Sequence, residues 1–477
     1  MSTRYAAHSH ESAATVQGAP LWLVSLDRRG RPAGGSDIAR TFADLIGERG
    51  ATDVFFLAHG WNNDSLSATT LYHRLFGECA RLLSVHGTRP GAKVGYAGVL
   101  WPSVHWPDAN DTLPHDASQP GSEGGAARLS GLSASDAVAE PAHTLSTDAI
   151  ASAALALFTE PDERTEAAGL ISLLNSQPDS ERALEEFMSG LRRLALDELT
   201  EHTSSPAARL PDEDALEGDA LFAADWRELL ETLADREPPS RQPGGAASAG
   251  AFGKLWRGAR GAFRLLGYWT MKRRAGIVGQ DGLGPLLAEV ARHAPDVRVH
   301  LVGHSFGARL VSYALKGLGS SAEGAHSPVK SLLLLQGAFS HYSFASRLPH
   351  DPQRAGHLNG MTSRVDGPLL ATHSRHDTAI RYAYPLVSLV ARQDASAIDD
   401  PVSRWGAMGD NGAQAVDAGH LALHGEGEPY ELERGRWYNL NGDKVIRHGP
   451  APSGAHGDVV HPETAWAALQ AAGLTLN

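Results

Sequence analysis

The stretch "VHLVGHSFGARLVSYAL", Val299 to Leu315, restricts what the chain can fold into more than any other. An apolar run of strand character ends at Gly303, His304, Ser305, Phe306 and Gly307, after which Ala308, Leu310, Val311, Ala314, Leu315 and Leu318 recur at helical spacing. A strand passes into a helix over so few residues through a sharp turn, and glycines on either side of the central serine relieve the crowding there. Ser305 is therefore expected to stand out from the turn with its hydroxyl exposed.

The surrounding runs extend this pattern. "LWLVSL" from Leu21, "DVFFLAHG" from Asp53, "KVGYAGVLWPS" from Lys93, "DVRVHLVG" from Asp296, "VKSLLLLQG" from Val329 and "GPLLATHS" from Gly367 all read as strands. Several are apolar on consecutive residues, as strands covered on both faces are. Helical patterns fall between them: "SDIARTFADLIGERG" begins with Ser36 as a cap, and "DSLSATTLYHRLFGECARLLSVHG" ends at a glycine suited to a left-handed C-terminal residue. The expected class is α/β, with a mostly parallel central sheet covered by helices on both faces.

The rhythm breaks between Trp101 and about Ala275. Turn-rich polar sequence, "HWPDANDTLPHDASQPGSEGGAARLSG", leads into helical patterns such as "SERALEEFMSGLRRLALDEL" and the flexible composition of "EPPSRQPGGAASAGA". The expected organisation is a flexible N-terminal segment over 1–19, the first part of a core over 20–103, a helical, partly disordered insertion or cap over 104–275, and the second part of the core over 276–477. The end of the insertion, 252–274, combines Trp256, Phe263, Leu266 and Trp269 with Arg257, Arg260, Arg264, Lys272, Arg273 and Arg274. A basic amphipathic helix of this kind packs on a sheet with its basic residues in water, or else makes peripheral membrane contact or forms a lid.

Composition narrows the partners. The 477 residues are 42% hydrophobic, and no uninterrupted apolar run approaches the roughly 20 residues of a membrane span. With 55 acidic and 42 basic residues the formal charge is −13, which offers no general electrostatic attraction for nucleic acid. Cys79 is the only cysteine, so neither an intrachain disulfide nor a cysteine-based zinc site can form, and its setting in "FGECARLL" suits a small buried hydrophobe. The first twenty residues do not place a basic segment before an apolar one, so the cytoplasm is the expected compartment.

A serine hydroxyl is a weak nucleophile at neutral pH and needs a base, usually histidine, oriented by a carboxylate. Asp377, in "LLATHSRHDTAI", lies just past a strand that ends near His373, at the expected carboxyl edge of the sheet; Asp366 precedes that strand and belongs at the opposite edge. For the base, "SGAHGDVVHPETAWAALQAAG" offers His456 and His461. His456 is favoured, because Pro462 suits the first turn of the last helix and puts His461 at its threshold. A developing oxyanion would need two donors. The Phe306 N–H directly follows the serine, and the Trp61 N–H lies in "FFLAHGWNND", where Gly60 lets the backbone turn. His59, Gly60, Asn62 and His304 are candidate substrate-loop residues, His59 reading more readily as a structural hydrogen-bonding side chain than as a base. This chemistry calls for neither cofactor nor metal.

The motifs "AHGWNND", "GHSFG", "SRHD" and "GAHGDVVHPETAW" together resemble the α/β-hydrolase superfamily, over about 20 to 103 and 276 to 477. More narrowly, "HGWNND" followed by "LWPS", with "YWTMKRRAGIVG" before the elbow, looks like a bacterial group of uncharacterised esterase or lipase-like hydrolases. The resemblance implies an α/β-hydrolase fold, a Ser305, Asp377, His456 triad and hydrolysis of a small-molecule or lipid ester, without naming the substrate. The long insertion departs from a minimal hydrolase. So does the segment from "VSRWGAMGDNG" to "WYNLNGDKVIRHG", where Asn441 and Gly442 suggest a hairpin turn.

Two other readings compete. His373, His376 and Asp377, like His456, Asp458 and His461, lie close enough in sequence to suggest a metal-dependent hydrolase, although that leaves the Ser305 turn and the "HGW" loop unused. A noncatalytic binding or scaffold protein would keep the fold and discard the chemistry. Thioesterases, peptidases and acyltransferases use the same machinery as esterases.

Overall fold

The structure, a computed structural model, describes residues 14–35, 37–103, 152–153, 155–158, 160–200, 225–235, 251–319, 322–380, 406–450 and 453–476. The chain divides into two compact units: residues 1–104, 198–224 and 268–477 form the first, and 105–197 with 225–267 the second. Ser36, the turn-rich opening of the insertion and the stretch "EPPSRQPGGAASAG" lie outside the described residues.

The first unit is built on a mostly parallel sheet. Its strands are β1 (Ala14–Val16), β2 (Ala19–Ser25), β3 (Asp53–Ala58), β4 (Val94–Leu100), β5 (Arg298–His304), β6 (Val329–Leu335), β7 (Leu369–His373), β8 (Ala418–Ala422) and β9 (Trp437–Asn441). They lie in the order β1-β2-β4-β3-β5-β6-β7-β9-β8, and every neighbouring pair is parallel except β1 with β2. All six residues of β3 are buried, as are all but the first of β5, which is why these strands read as continuous apolar runs. The strand order reverses at β3, which lies between β4 and β5, and loops at the carboxyl ends of parallel strands on either side of such a point border a crevice.

Helices α1 (Ile38–Arg49) and α2 (Ser65–His86) follow β2 and β3. Asp64 caps α2 by accepting from the Ser67 N–H at 2.7 Å. Gly50 ends α1 in the left-handed conformation; Gly87 after α2 shares the positive φ, but its ψ of 156° carries the chain away extended. The second unit's described elements are helical: α3 (Pro161–Ser176), α4 (Glu181–Thr200, of which Glu181–Asp197 belong here), α5 (Trp226–Ala234) and the Ala251–Gly267 part of α6 (Ala251–Ile277). Phe187 packs edge-on against Trp256, whose Nε1–H donates to the Pro178 carbonyl at 3.0 Å. After α6 the first unit continues through a π-helical stretch (Val278–Leu283), α7 (Gly284–His293), β5, α8 (Phe306–Gly317) and finally α9 (Pro462–Ala472).

Three features differ from the sequence expectation. Of the segment expected to be flexible over 1–19, Ala14–Ala19 belong to a strand pair, because Gln17 and Gly18 take φ of 48° and 88° and turn β1 back onto β2. Asn441-Gly442 starts no hairpin. Gly442 N–H donates to the His373 carbonyl, the Asp443 N–H is held by the Asn441 side chain, and the chain closes a turn that buries Ile446, while both neighbours of β9 run parallel to it. The basic end of α6 is also not solvated as expected: Lys272 and Arg274 are buried, and none of residues 252–277 is fully exposed. Among the described residues no helix is long and apolar enough to cross a membrane.

Candidate active site

Ser305 sits between β5 and α8 with φ 58° and ψ −121°, a conformation that non-glycine residues adopt only where the surroundings enforce it. The enforcement is visible on both sides. The Ser305 N–H donates to the Leu335 carbonyl at 3.0 Å, and its own carbonyl accepts from Ala308 and Ala338. A Cβ on Gly303 would stand 2.4 Å from the Gly307 carbonyl oxygen, and one on Gly307 would stand 2.1 Å from the Ala58 carbonyl oxygen. Only glycine lets α8 approach β3 and β5 this closely.

Three loops bring the predicted residues to this turn. The chain leaving β7 reaches Asp377, and the loop before α9 carries His456. These two loops are joined backbone to backbone: Asp377 pairs with Gly454, Ala379 N–H donates to Ser453 and Ala455 N–H to His376. The result is a continuous chain of hydrogen bonds. Ser305 Oγ lies 2.7 Å from His456 Nε2, and His456 Nδ1 lies 2.8 Å from Asp377 Oδ2. A carboxylate can only accept, so the ring proton is on Nδ1 and Nε2 is left to receive the serine hydroxyl. Burial would raise the Asp377 carboxyl, but its electrostatic attraction to His456, hydrogen bonds from His456 and Gln336, and the Ile380 N–H outweigh it and hold the group below the usual carboxylate range.

The loop after β3 closes the other side. Gly60 approaches so closely that a Cβ there would lie 2.7 Å from Ser305 Cβ and 3.2 Å from its Oγ. The next residue, Trp61, has a backbone N–H without a hydrogen-bond partner among the described residues, as does Phe306 at the first position of α8. The rings of Trp61, Phe306 and Tyr268 pack together at centroid separations of 5.0 to 6.1 Å, joining this loop to the turn. Asn62 takes a φ of 60°. His59 is fully enclosed, with Nδ1–H donating to the Gly60 carbonyl at 2.9 Å and Nε2 accepting from the Trp101 N–H at 3.5 Å; burial pushes its pKa down to about 4. It is engaged with backbone at both nitrogens and does not reach the serine. His304 faces the backbone of His456 instead of the crevice.

Other candidates are placed elsewhere. His461 caps α9 and bonds Asp458 Oδ1 at 2.9 Å. Asp366 lies at the amino end of β7, paired with Lys330 and Arg434. Among the described residues no cluster of three histidine, cysteine or acidic side chains is placed to hold a metal ion. Burial raises the Cys79 thiol to about 12.

Gln336 is a site residue that sequence reasoning missed. It follows β6 with φ 46°, is fully buried, and donates its amide to Asp377 Oδ2 at 3.0 Å while Thr372 Oγ1 donates to its carbonyl. The one available signal was its position, the first polar residue after "LLLL" at the same sheet edge as Ser305. Ser331, His300 and Asp53 form a second serine–histidine–aspartate set, at 2.9 and 3.1 Å. All three are buried near the amino ends of β6, β5 and β3, and Asp53 is also paired with Arg89 and Arg298. With all three side chains buried, this set ties the strands together.

No family model, curated protein or solved structure matches the chain. What the site can do is therefore read from its own geometry.

Proposed function

We propose that the protein is a serine hydrolase of α/β-hydrolase fold that cleaves carboxylic or lipid esters through an acyl-enzyme. The observation that carries this reading is the unbroken relay from Ser305 Oγ through His456 to Asp377 Oδ2, starting at a backbone turn that no ordinary serine adopts. The strand order and the position of all three groups at the carboxyl edge of the sheet support the fold assignment.

In this reading Ser305 Oγ attacks the ester carbonyl as its proton passes to His456 Nε2, and Asp377 stabilises the resulting imidazolium through Nδ1–H. The oxyanion meets the N–H groups of Trp61 and Phe306. Collapse of the tetrahedral species expels the alcohol, protonated by His456, and leaves an acyl group on Ser305 Oγ. Water, deprotonated by the same nitrogen, then releases the acid.

The test is reaction with a fluorophosphonate probe, read by intact mass on the wild type and on Ser305→Ala. A single adduct on the wild type alone is the expected result; adducts on both proteins, or on neither, overturn the reading. Turnover of a series of p-nitrophenyl esters, in solution and on lipid vesicles, then separates soluble from interfacial substrates.

A further inference from the structure

We propose that His304 is a positioning residue: its Nε2–H holds the backbone carbonyl of His456 and so fixes the loop that carries the base against the turn that carries the nucleophile. The proposal rests on the roles given above to Ser305 and His456.

The two atoms are 2.8 Å apart, and a carbonyl oxygen can only accept, so the proton of the His304 ring is on Nε2. Burial, with His456 nearby, pushes the pKa of His304 down to about 3, so this single tautomer persists across the neutral range. The other ring nitrogen, Nδ1, is consequently a bare lone pair. It is buried and has no hydrogen-bond partner among the described residues, and a Cβ on Gly60 would lie 3.3 Å from it.

A buried acceptor left without a donor weakens a fold. His304 therefore destabilises the protein at one nitrogen while engaging the base loop at the other, the pattern expected of a side chain retained for the site. Among the described residues the loop's backbone is also joined to the aspartate side, through Asp377 with Gly454, Ala379 with Ser453, and Ala455 with His376. Among the described residues His304 supplies the backbone tie between the loop and the Ser305 turn. Its ring also lies 5.1 Å from that of His456, at 41°. Without this tie the backbone of the base loop is joined only to the aspartate side, and only the Ser305 Oγ contact itself sets the position of His456 Nε2.

The experiment compares wild type, His304→Leu and His304→Gln. Glutamine carries an amide N–H as many bonds from Cβ as histidine Nε2. The first readout is the second-order rate of fluorophosphonate labelling, with kcat and KM on a soluble p-nitrophenyl ester. The second, independent of turnover, is the downfield proton resonance of His456 Nδ1–H, assigned by its loss in His456→Ala. A misplacement of this kind should slow labelling and lower kcat about 10²-fold in His304→Leu with KM little changed, and broaden the resonance, while His304→Gln restores most of both. Wild-type rates and an intact resonance in His304→Leu overturn the proposal, as does a folded His304→Gln that behaves like the leucine variant. Should His304→Leu not fold, His304→Asn, polar but a bond too short to reach, takes its place. If wild type itself does not react with the probe, the hydrolase reading has failed, and the resonance alone decides whether His304 sets the position of His456.

Discussion

The side-chain amide of Gln336 reaches the same oxygen of Asp377 that receives His456 Nδ1–H, at 3.0 Å beside the ring's 2.8 Å. Asp377 Oδ2 is thus held by the neutral amide of Gln336 as well as by the His456 ring. Removing the amide leaves Asp377 to His456 and the Ile380 N–H alone and takes a buried partner from its Oδ2. Gln336→Leu should lower kcat roughly 10-fold or more, by misorienting the base, and destabilise the fold by about 1–3 kcal/mol. Ester kinetics and urea unfolding on the same preparation check both; an unchanged kcat would show that Gln336 serves stability alone.

Asp377→Asn should retain the fold and lose activity. An amide nitrogen can face Nδ1 and favour the tautomer that puts the ring proton on Nε2, where it blocks acceptance from Ser305. The expected fall in labelling rate is about 10³–10⁴-fold. Circular dichroism shows whether the protein is folded, and a fall below 10-fold would remove Asp377 from its assigned role.

Gly60→Ala introduces a methyl group 2.7 Å from Ser305 Cβ. The loop must withdraw, carrying the Trp61 N–H with it, so the loss belongs to the transition state. We expect kcat to fall about 10²-fold with the thermal midpoint nearly unchanged. A large drop in the midpoint would instead mean that the glycine is needed for folding.

Ser331→Ala is the control for the buried second set. Its hydroxyl bonds His300 Nδ1 at 2.9 Å and is out of reach of solvent. Loss of this bond should cost about 1–3 kcal/mol of stability. Probe labelling should still occur, at the wild-type rate; slower labelling at constant fold would argue that the amino ends of the strands influence the site.

Acid should weaken the fold before it titrates the carboxylates. A histidine in the unfolded chain takes up a proton near 6.5, whereas burial depresses His59 to about 4 and His304 to about 3. A depressed pKa means that the unfolded state binds more protons between these values, so the stability from keeping the rings neutral is full above 6.5 and is lost as pH falls towards 4. Each ring contributes a slope of up to about 1.4 kcal/mol per pH unit. Urea midpoints between pH 7 and 4.5 measure it, and His304→Gln should flatten the slope; an identical slope in that variant would show that the ring does not stay neutral.

What could be read in advance is what is local. The turn at Ser305 follows from strand, glycine pair and helix within seventeen residues, and six of the strands were legible, most of them because burial on both faces leaves an apolar run. Asp377 and His456 could be located because each follows or precedes a recognisable element. Gln336 could not, since its importance arises from a partner forty-one residues away and a positive φ that its sequence does not announce. The contact of His304 with His456 spans 152 residues and has no local trace. Asn441-Gly442 misled in the other direction: the pair does turn, but towards Ile446 and the core, because the strand before it is already flanked on both sides.

The pairing of Asp377 with Gly454 has a consequence for synthesis. Ser305 and its strained turn can form once β6 has been made, yet the loop bearing His456 has no place to dock until β7 is in the sheet and α9 can close beneath it. During translation Ser305 is thus made well before His456 arrives. A ribosome-bound chain stalled short of Gly454 would carry the turn at Ser305 without the hydrogen-bonded chain to His456 and Asp377.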